Sequence, residues 1–135
     1  MYLLDTNVIS EWRKPKPHGA VTAWIERIPD RDLHVAAVTL GEIQAGIEIT
    51  RAQDPDKAGE IETWLDGIGR TANVLPMDGE TFRIWARLMR GRPDSLYEDA
   101  MVAATAIRHD LIVVTRNVRD FRHFDVELLN PFLTR

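Results

Sequence analysis

The segment Leu111-Ile112-Val113-Val114-Thr115 constrains this chain most, because it is apolar without alternation. A strand with one wet face alternates in polarity; a continuous apolar run belongs in a parallel sheet covered by helices on both faces. Tyr2-Leu3-Leu4 and the run from Leu33 to Ala37 have a similar character. Between these runs, apolar residues recur at helical spacing: Val21, Trp24, Ile25 and Ile28; Leu40, Ile43 and Ile47; Ile61, Trp64, Leu65 and Ile68; Phe82, Trp85, Leu88 and Met89. Strands alternating with helices imply an α/β fold: one central, mostly parallel sheet, right-handed crossovers, and helices on both faces. A length of 135 residues fits a single domain over 1–135, and no internal repeat or low-complexity tract divides it.

Local signals place the boundaries. Strands are expected over 2–4, 33–37, 73–76, 111–115 and 126–129. A first helix over 8–13 is broken by Lys14-Pro15-Lys16-Pro17, and a second opens at Pro17 and closes at Pro29-Asp30. A third is expected over 39–51. Asp54-Pro55-Asp56 and Asp78 open two more, 97–109 is an apolar helix, and 117–121 is a turn or short helix.

Three acids stand where strands give way to helices: Asp5, Glu42 and Asp99. In open α/β sheets ligands bind in the crevice beyond the strand C-terminal ends. Oxygen donors gathered there, in a chain with no cysteine, suit a hard divalent cation such as Mg²⁺ or Mn²⁺. The four histidines share no ligand spacing and receive no role. Absence of cysteine also fits a reducing interior, and no apolar run is long enough to span a bilayer, so a cytoplasmic location is expected. The net charge of −4 argues against a strongly basic nucleic-acid binder, although 14 of the 17 cations are arginines, suited to phosphate contacts.

Each acid also has a structural explanation. Thr39-Leu40-Gly41-Glu42 and Ser95-Leu96-Tyr97-Glu98 both match the capping-box spacing, which would occupy Glu42 and Glu98. Asp5 fits a helix N-cap, and Asp99 fits a first turn favoured by the helix dipole. Their combination is harder to explain structurally. Ala100-Met101-Val102-Ala103-Ala104 is apolar on every side, so its helix is expected to be buried, with Asp99 sunk beside the first strand. Unpaired carboxylates gathered there would raise one another's pKa values, and a cation would relieve the repulsion. Asn117 follows the strongest strand and should face the same crevice, with Asp120 near its mouth.

These segments resemble the PIN-domain ribonucleases, and among them the VapC toxins of bacterial toxin–antitoxin pairs. The resemblance rests on Leu3-Leu4-Asp5-Thr6-Asn7-Val8-Ile9-Ser10, Thr39-Leu40-Gly41-Glu42-Ile43, Glu98-Asp99-Ala100-Met101-Val102-Ala103-Ala104-Thr105-Ala106 and Val113-Val114-Thr115-Arg116-Asn117-Val118-Arg119-Asp120-Phe121. It implies a metal-binding and catalytic set of Asp5, Glu42 and Asp99, with Mg²⁺ or Mn²⁺ as cofactor. The family often carries a fourth acid where Asn117 stands here, so Asp120 is the nearest substitute. Thr6, Asn7 and Thr115 are expected to orient ligands around the acids. Arg116 is the best-placed cation for an RNA phosphate.

The implied activity is endoribonuclease cleavage by metal-activated water, leaving a 5′-phosphate and a 3′-hydroxyl. Implied partners are a cognate antitoxin, an RNA substrate and a second copy of the chain, with no membrane. Two rival readings remain: a PIN scaffold that binds RNA or protein with weak or no catalysis, favoured by Asn117, and a haloacid-dehalogenase-like phosphotransferase with Asp5 as nucleophile. The second normally needs an acid two residues on, where Asn7 stands.

Overall fold

Leu3 and Leu4 point to opposite faces of the same strand, and both are fully buried. Leu3 packs with Ala36, Val113, Ala100, Ala103, Ala106 and Phe121 on one face. Leu4 packs with Val8, Val21, Trp24, Val35 and Val114 on the other. The sheet therefore has two cores, as the non-alternating strands require. Burying each such Leu or Val contributes about 1.5–3 kcal/mol.

The structure, a computed structural model, describes residues 1–133. The expected domain end at 134–135 lies outside the described residues. The chain opens with β1 (Tyr2–Leu4), α1 (Thr6–Ile9), a 3₁₀ turn (Ser10–Arg13), α2 (Gly19–Glu26) and β2 (Leu33–Ala36). Next come α3 (Ala37–Arg51), α4 (Pro55–Thr71), β3 (Asn73–Leu75) and α5 (Gly79–Leu88). It closes with α6 (Tyr97–His109), β4 (Ile112–Val114), α7 (Val118–Phe121) and β5 (Leu128–Leu129). The five strands form one sheet in the order β3-β2-β1-β4-β5. Every neighbouring pair is parallel.

The order matters for function. From β1 the chain builds outward through β2 and β3, then returns to lay β4 and β5 on the other side. The topological switch point is thus between β1 and β4, where an open α/β sheet has its crevice. Helix α6 reaches it because Ala100, Ala103, Ala104 and Ala106 are small and almost wholly buried, allowing close packing. Asp110 then takes the left-handed conformation (φ 54°) and Leu111 N–H donates to the Ala106 carbonyl at 2.9 Å, turning the chain into β4.

Several expected boundaries shift. The first helix begins at Thr6 and tightens to 3₁₀ geometry from Ser10, and the second begins at Gly19, with Pro17 outside it. The last strand pairs only at Leu128 and Leu129. Both capping boxes are corrected. Helix α3 starts at Ala37 directly from the strand, so Thr39 lies inside it and Glu42 is one and a half turns along. Ser95 belongs to a 3₁₀ turn before α6, whose N-cap, Leu96, has no side-chain bond to offer. The spacing motif is local, whereas burial of the strand–helix junction fixes where each helix begins.

Candidate active site

Asp5 is the first residue after β1, and its backbone N–H continues the ladder to the Val114 carbonyl at 2.9 Å. Only 6% of its surface is exposed. Its carboxylate accepts from the Thr115 hydroxyl at 2.8 Å, the Thr6 amide at 2.9 Å and Asn7 Nδ2 at 3.3 Å. Thr115 follows β4, so the shortest of these bonds spans the switch point. Thr115 Oγ1 is fully engaged, also accepting from Asn7 Nδ2 at 3.3 Å and the Asn117 amide at 3.0 Å. Asn7 Oδ1 in turn accepts the Arg116 amide at 3.0 Å. Asp5 is both an N-cap and the centre of a network joining residues 110 positions apart.

Burial raises the Asp5 pKa, opposed by the bonds from Thr115, Thr6 and Asn7, with the Asp120 charge adding to the rise. Glu42 is half-buried and pushed up to about 7, first by burial and then by the charges of Asp5, Glu98 and Asp99. Asp99 is pushed up to about 6 by burial, then by Asp5, Asp120 and Glu98. Its place in the first turn of α6 would ordinarily lower it. Burial and like charge outweigh the helix dipole here.

Asp5, Glu42 and Asp99 thus share one electrostatic neighbourhood, and two further acids join them. Asp120 lies on α7 and acts on both Asp5 and Asp99. Asn117 occupies the N-cap position of α7 without a side-chain capping bond. Glu98 is the member that sequence spacing concealed, because the capping box assigned it elsewhere; its position next to Asp99 in one helical turn was the available signal. Among the described residues, no group of three or more His, Asp and Glu side chains is already arranged to hold a metal ion. The donors fit a hard divalent cation in chemistry and in charge, as all are carboxylates and their pKa values register the repulsion a cation would relieve. They do not form a ready-made cage.

The surroundings are polar at the acids and apolar elsewhere. Thr6 Oγ1 and Thr39 Oγ1 are buried without a partner among the described residues. Arg116 is exposed and stacks on the Phe132 ring, 4.5 Å from its centroid. A separate cavity of about 450 Å³ is lined by Leu4, Trp12, Ile25, Val35, Ile68 and neighbours. Trp12 is 39% exposed. Among the described residues no helix is long and apolar enough to cross a membrane.

A parallel sheet with strand order 3-2-1-4-5 and carboxylates at its switch point defines an α/β domain with an acidic crevice. Residues 2–127 match the PIN domain, and the chain belongs to that family. It is 33% identical over 142 aligned positions to a protein named VapC ribonuclease Y4jK of Sinorhizobium fredii, with 98% of each chain covered. It is 32% identical to Toxin FitB of Neisseria gonorrhoeae over 98% of this chain and 99% of that one. Among solved structures, the crystal structure of FitAcB from Neisseria gonorrhoeae superposes with a TM-score of 0.80 at 29% identity, covering 98% of this chain and 99% of that one. The resemblance read from the motifs is borne out at the level of family and fold.

Proposed function

We propose that this chain is a divalent-metal-dependent endoribonuclease and the toxin of a toxin–antitoxin pair. The observation that carries this reading is the state of Asp5, Glu42 and Asp99. One is buried and held by three donors, and all three have pKa values raised by burial and by the charges of neighbouring acids. None of these three forms an ion pair among the described residues, so no protein cation offsets their charge. The names of the relatives, a VapC ribonuclease and a toxin, support the same reading.

Asp5, Asp99 and Glu42 would hold Mg²⁺ or Mn²⁺, with Asp120 adding negative charge at the mouth. When bound, such an ion supplies Lewis-acid polarisation of a phosphoryl oxygen and acidifies water for attack on the phosphodiester. The chain's own part is preorganisation. Thr115 and Asn7 fix the Asp5 carboxylate, and the Asn117 and Arg116 amides fix Thr115 and Asn7. Glu42, titrating near neutrality in the metal-free protein, is suited to hold or release a proton at its carboxylate. A covalent phosphotransferase role for Asp5 is disfavoured, since Asn7 spends its amide on Asp5 and Thr115 rather than supplying an acid.

An antitoxin partner and a homodimer complete the proposal. The apolar cavity beside the exposed Trp12 can receive an apolar anchor from a partner protein. Incubation with single-stranded RNAs, with Mn²⁺ or with EDTA, tests the activity. Metal-dependent cuts with 5′-phosphate ends, lost in Asp99→Asn, are expected. Cyclic phosphate ends, or cleavage unchanged in EDTA, would refute it. The rival of a non-catalytic scaffold rests on Asn117; the Asp120 charge felt at Asp5 and Asp99 weakens it.

A further inference from the structure

Among the described residues two arginines sit over aromatic rings, and they differ in what their donors do. Arg92 lies 5.0 Å from the centroid of Phe124, and its guanidinium donates to the Leu88 carbonyl at 2.8 Å and the His123 carbonyl at 2.7 Å. Its hydrogen-bonding capacity goes into the fold. Arg116 lies closer to its ring, 4.5 Å from Phe132, yet among the described residues its guanidinium makes no hydrogen bond and no ion pair. The side chain is exposed, and only its backbone N–H is engaged, with Asn7 Oδ1.

That isolation is informative because of where Arg116 stands. It follows Thr115 directly, and the Thr115 hydroxyl is 2.8 Å from Asp5. An arginine one residue from the Thr115–Asp5 bond would be drawn to any carboxylate within reach, yet the charges acting on Asp5, Glu42 and Asp99 are those of other acids. Its guanidinium carbon sits over the Phe132 ring instead, and among the described residues its N–H groups are unspent. Phe132 is itself fixed, being buried, with the His18 ring edge-on at 5.0 Å and its amide donating to Asn130 Oδ1 at 3.0 Å. The His18 amide is tied to the buried Glu11 carboxylate at 2.9 Å, so the platform is anchored from both sides.

We infer that Arg116, seated over the Phe132 ring, is a phosphate clamp that seats a single RNA strand beside the acidic pocket. This rests on the ribonuclease reading and names a residue that binds its substrate. A pocket of carboxylates repels a polyanion, so a fixed cation at the rim is needed to bring a phosphodiester near it. A guanidinium with its edge free binds a phosphate in bidentate fashion.

The test is binding of a fluorescently labelled single-stranded RNA, followed by anisotropy across a salt series. It is made in an Asp99→Asn background with Mn²⁺ present, so that binding is read apart from cleavage. Adding Arg116→Ala is expected to weaken binding about tenfold and to lower the slope of log K against log salt by about 0.7, the loss of one single-strand phosphate contact. Arg116→Lys keeps the slope but loses part of the affinity, because an ammonium neither stacks nor forks. Arg92→Ala leaves the slope unchanged and lowers the melting temperature. Unchanged affinity and slope in Arg116→Ala would overturn the inference, as would lost affinity with the slope intact, which marks base stacking. If neither the Asp99→Asn parent nor the wild type in EDTA binds RNA, the ribonuclease reading falls, whereas RNA bound equally well with and without Arg116 sinks the clamp alone.

Discussion

Replacing Glu42 by glutamine should make the metal-free protein more stable and inactive at once. In the fold its carboxyl titrates near 7 instead of an ordinary 4.5, chiefly from burial and then from Asp5, Glu98 and Asp99. Between those values the folded state keeps a proton that the unfolded state has released. Stability of the metal-free wild type therefore falls as pH rises through that window, and the full penalty stands above it. The whole shift corresponds to about 3 kcal/mol at 1.36 kcal/mol per pH unit. Glu42 keeps part of its surface in water, which screens the repulsion, so a gain of about 1–2 kcal/mol is expected from Glu42→Gln. That corresponds to a rise in Tm of roughly 3–8 °C. Thermal melts in EDTA at about pH 8 and about pH 5 should show the advantage at the higher pH and little at the lower. Saturating Mn²⁺ should reverse the order by stabilising the wild type preferentially. A Glu42→Gln protein that is less stable at the higher pH, or equally offset at both, would refute the reasoning.

Other consequences follow from the same network. Thr115→Val keeps the volume but removes the hydroxyl that holds Asp5 and accepts from Asn7 and Asn117. Unfolding in urea should show a loss of about 1–2 kcal/mol, with Thr115→Ser restoring most of it. Cleavage by Thr115→Val should fall about 10–100-fold, and an unchanged rate would remove Thr115 from the site. Asn117→Asp adds a charge to an anionic mouth, so it should destabilise the metal-free protein above neutral pH and tighten Mn²⁺ binding by calorimetry. Weaker Mn²⁺ binding in that variant would show that Asn117 points elsewhere.

Much of this was legible because the strands are short and buried on both faces. Leu111 to Thr115 announced a parallel sheet, and Asp5 at the end of Tyr2-Leu3-Leu4 was already placed at the crevice. The helix Tyr97–His109 was readable to its ends, because its alanines could only pack inward. What escaped was set by tertiary contact. The capping-box spacing at Thr39 and Ser95 is a local signal, overridden where strand β2 runs directly into α3 and where a 3₁₀ turn precedes α6. Glu98 was thereby misassigned, although its charge reaches Glu42 and Asp99. The bonds from Thr115 and Asn7 to Asp5 and the stacking of Arg116 on Phe132 depend on strand order and on the path of the closing segment. No spacing along the chain encodes them.

The proposed function requires that the clustered carboxylates at the β1–β4 crevice be relieved by a divalent ion. Calorimetric titration of Mn²⁺ near pH 7, in two buffers of different ionisation enthalpy, tests it most directly. Binding with net release of protons, displaced from Glu42 and Asp99 and absent in Asp5→Asn, is the predicted result. Absence of a saturable heat, or binding that Asp5→Asn leaves unchanged, would contradict it.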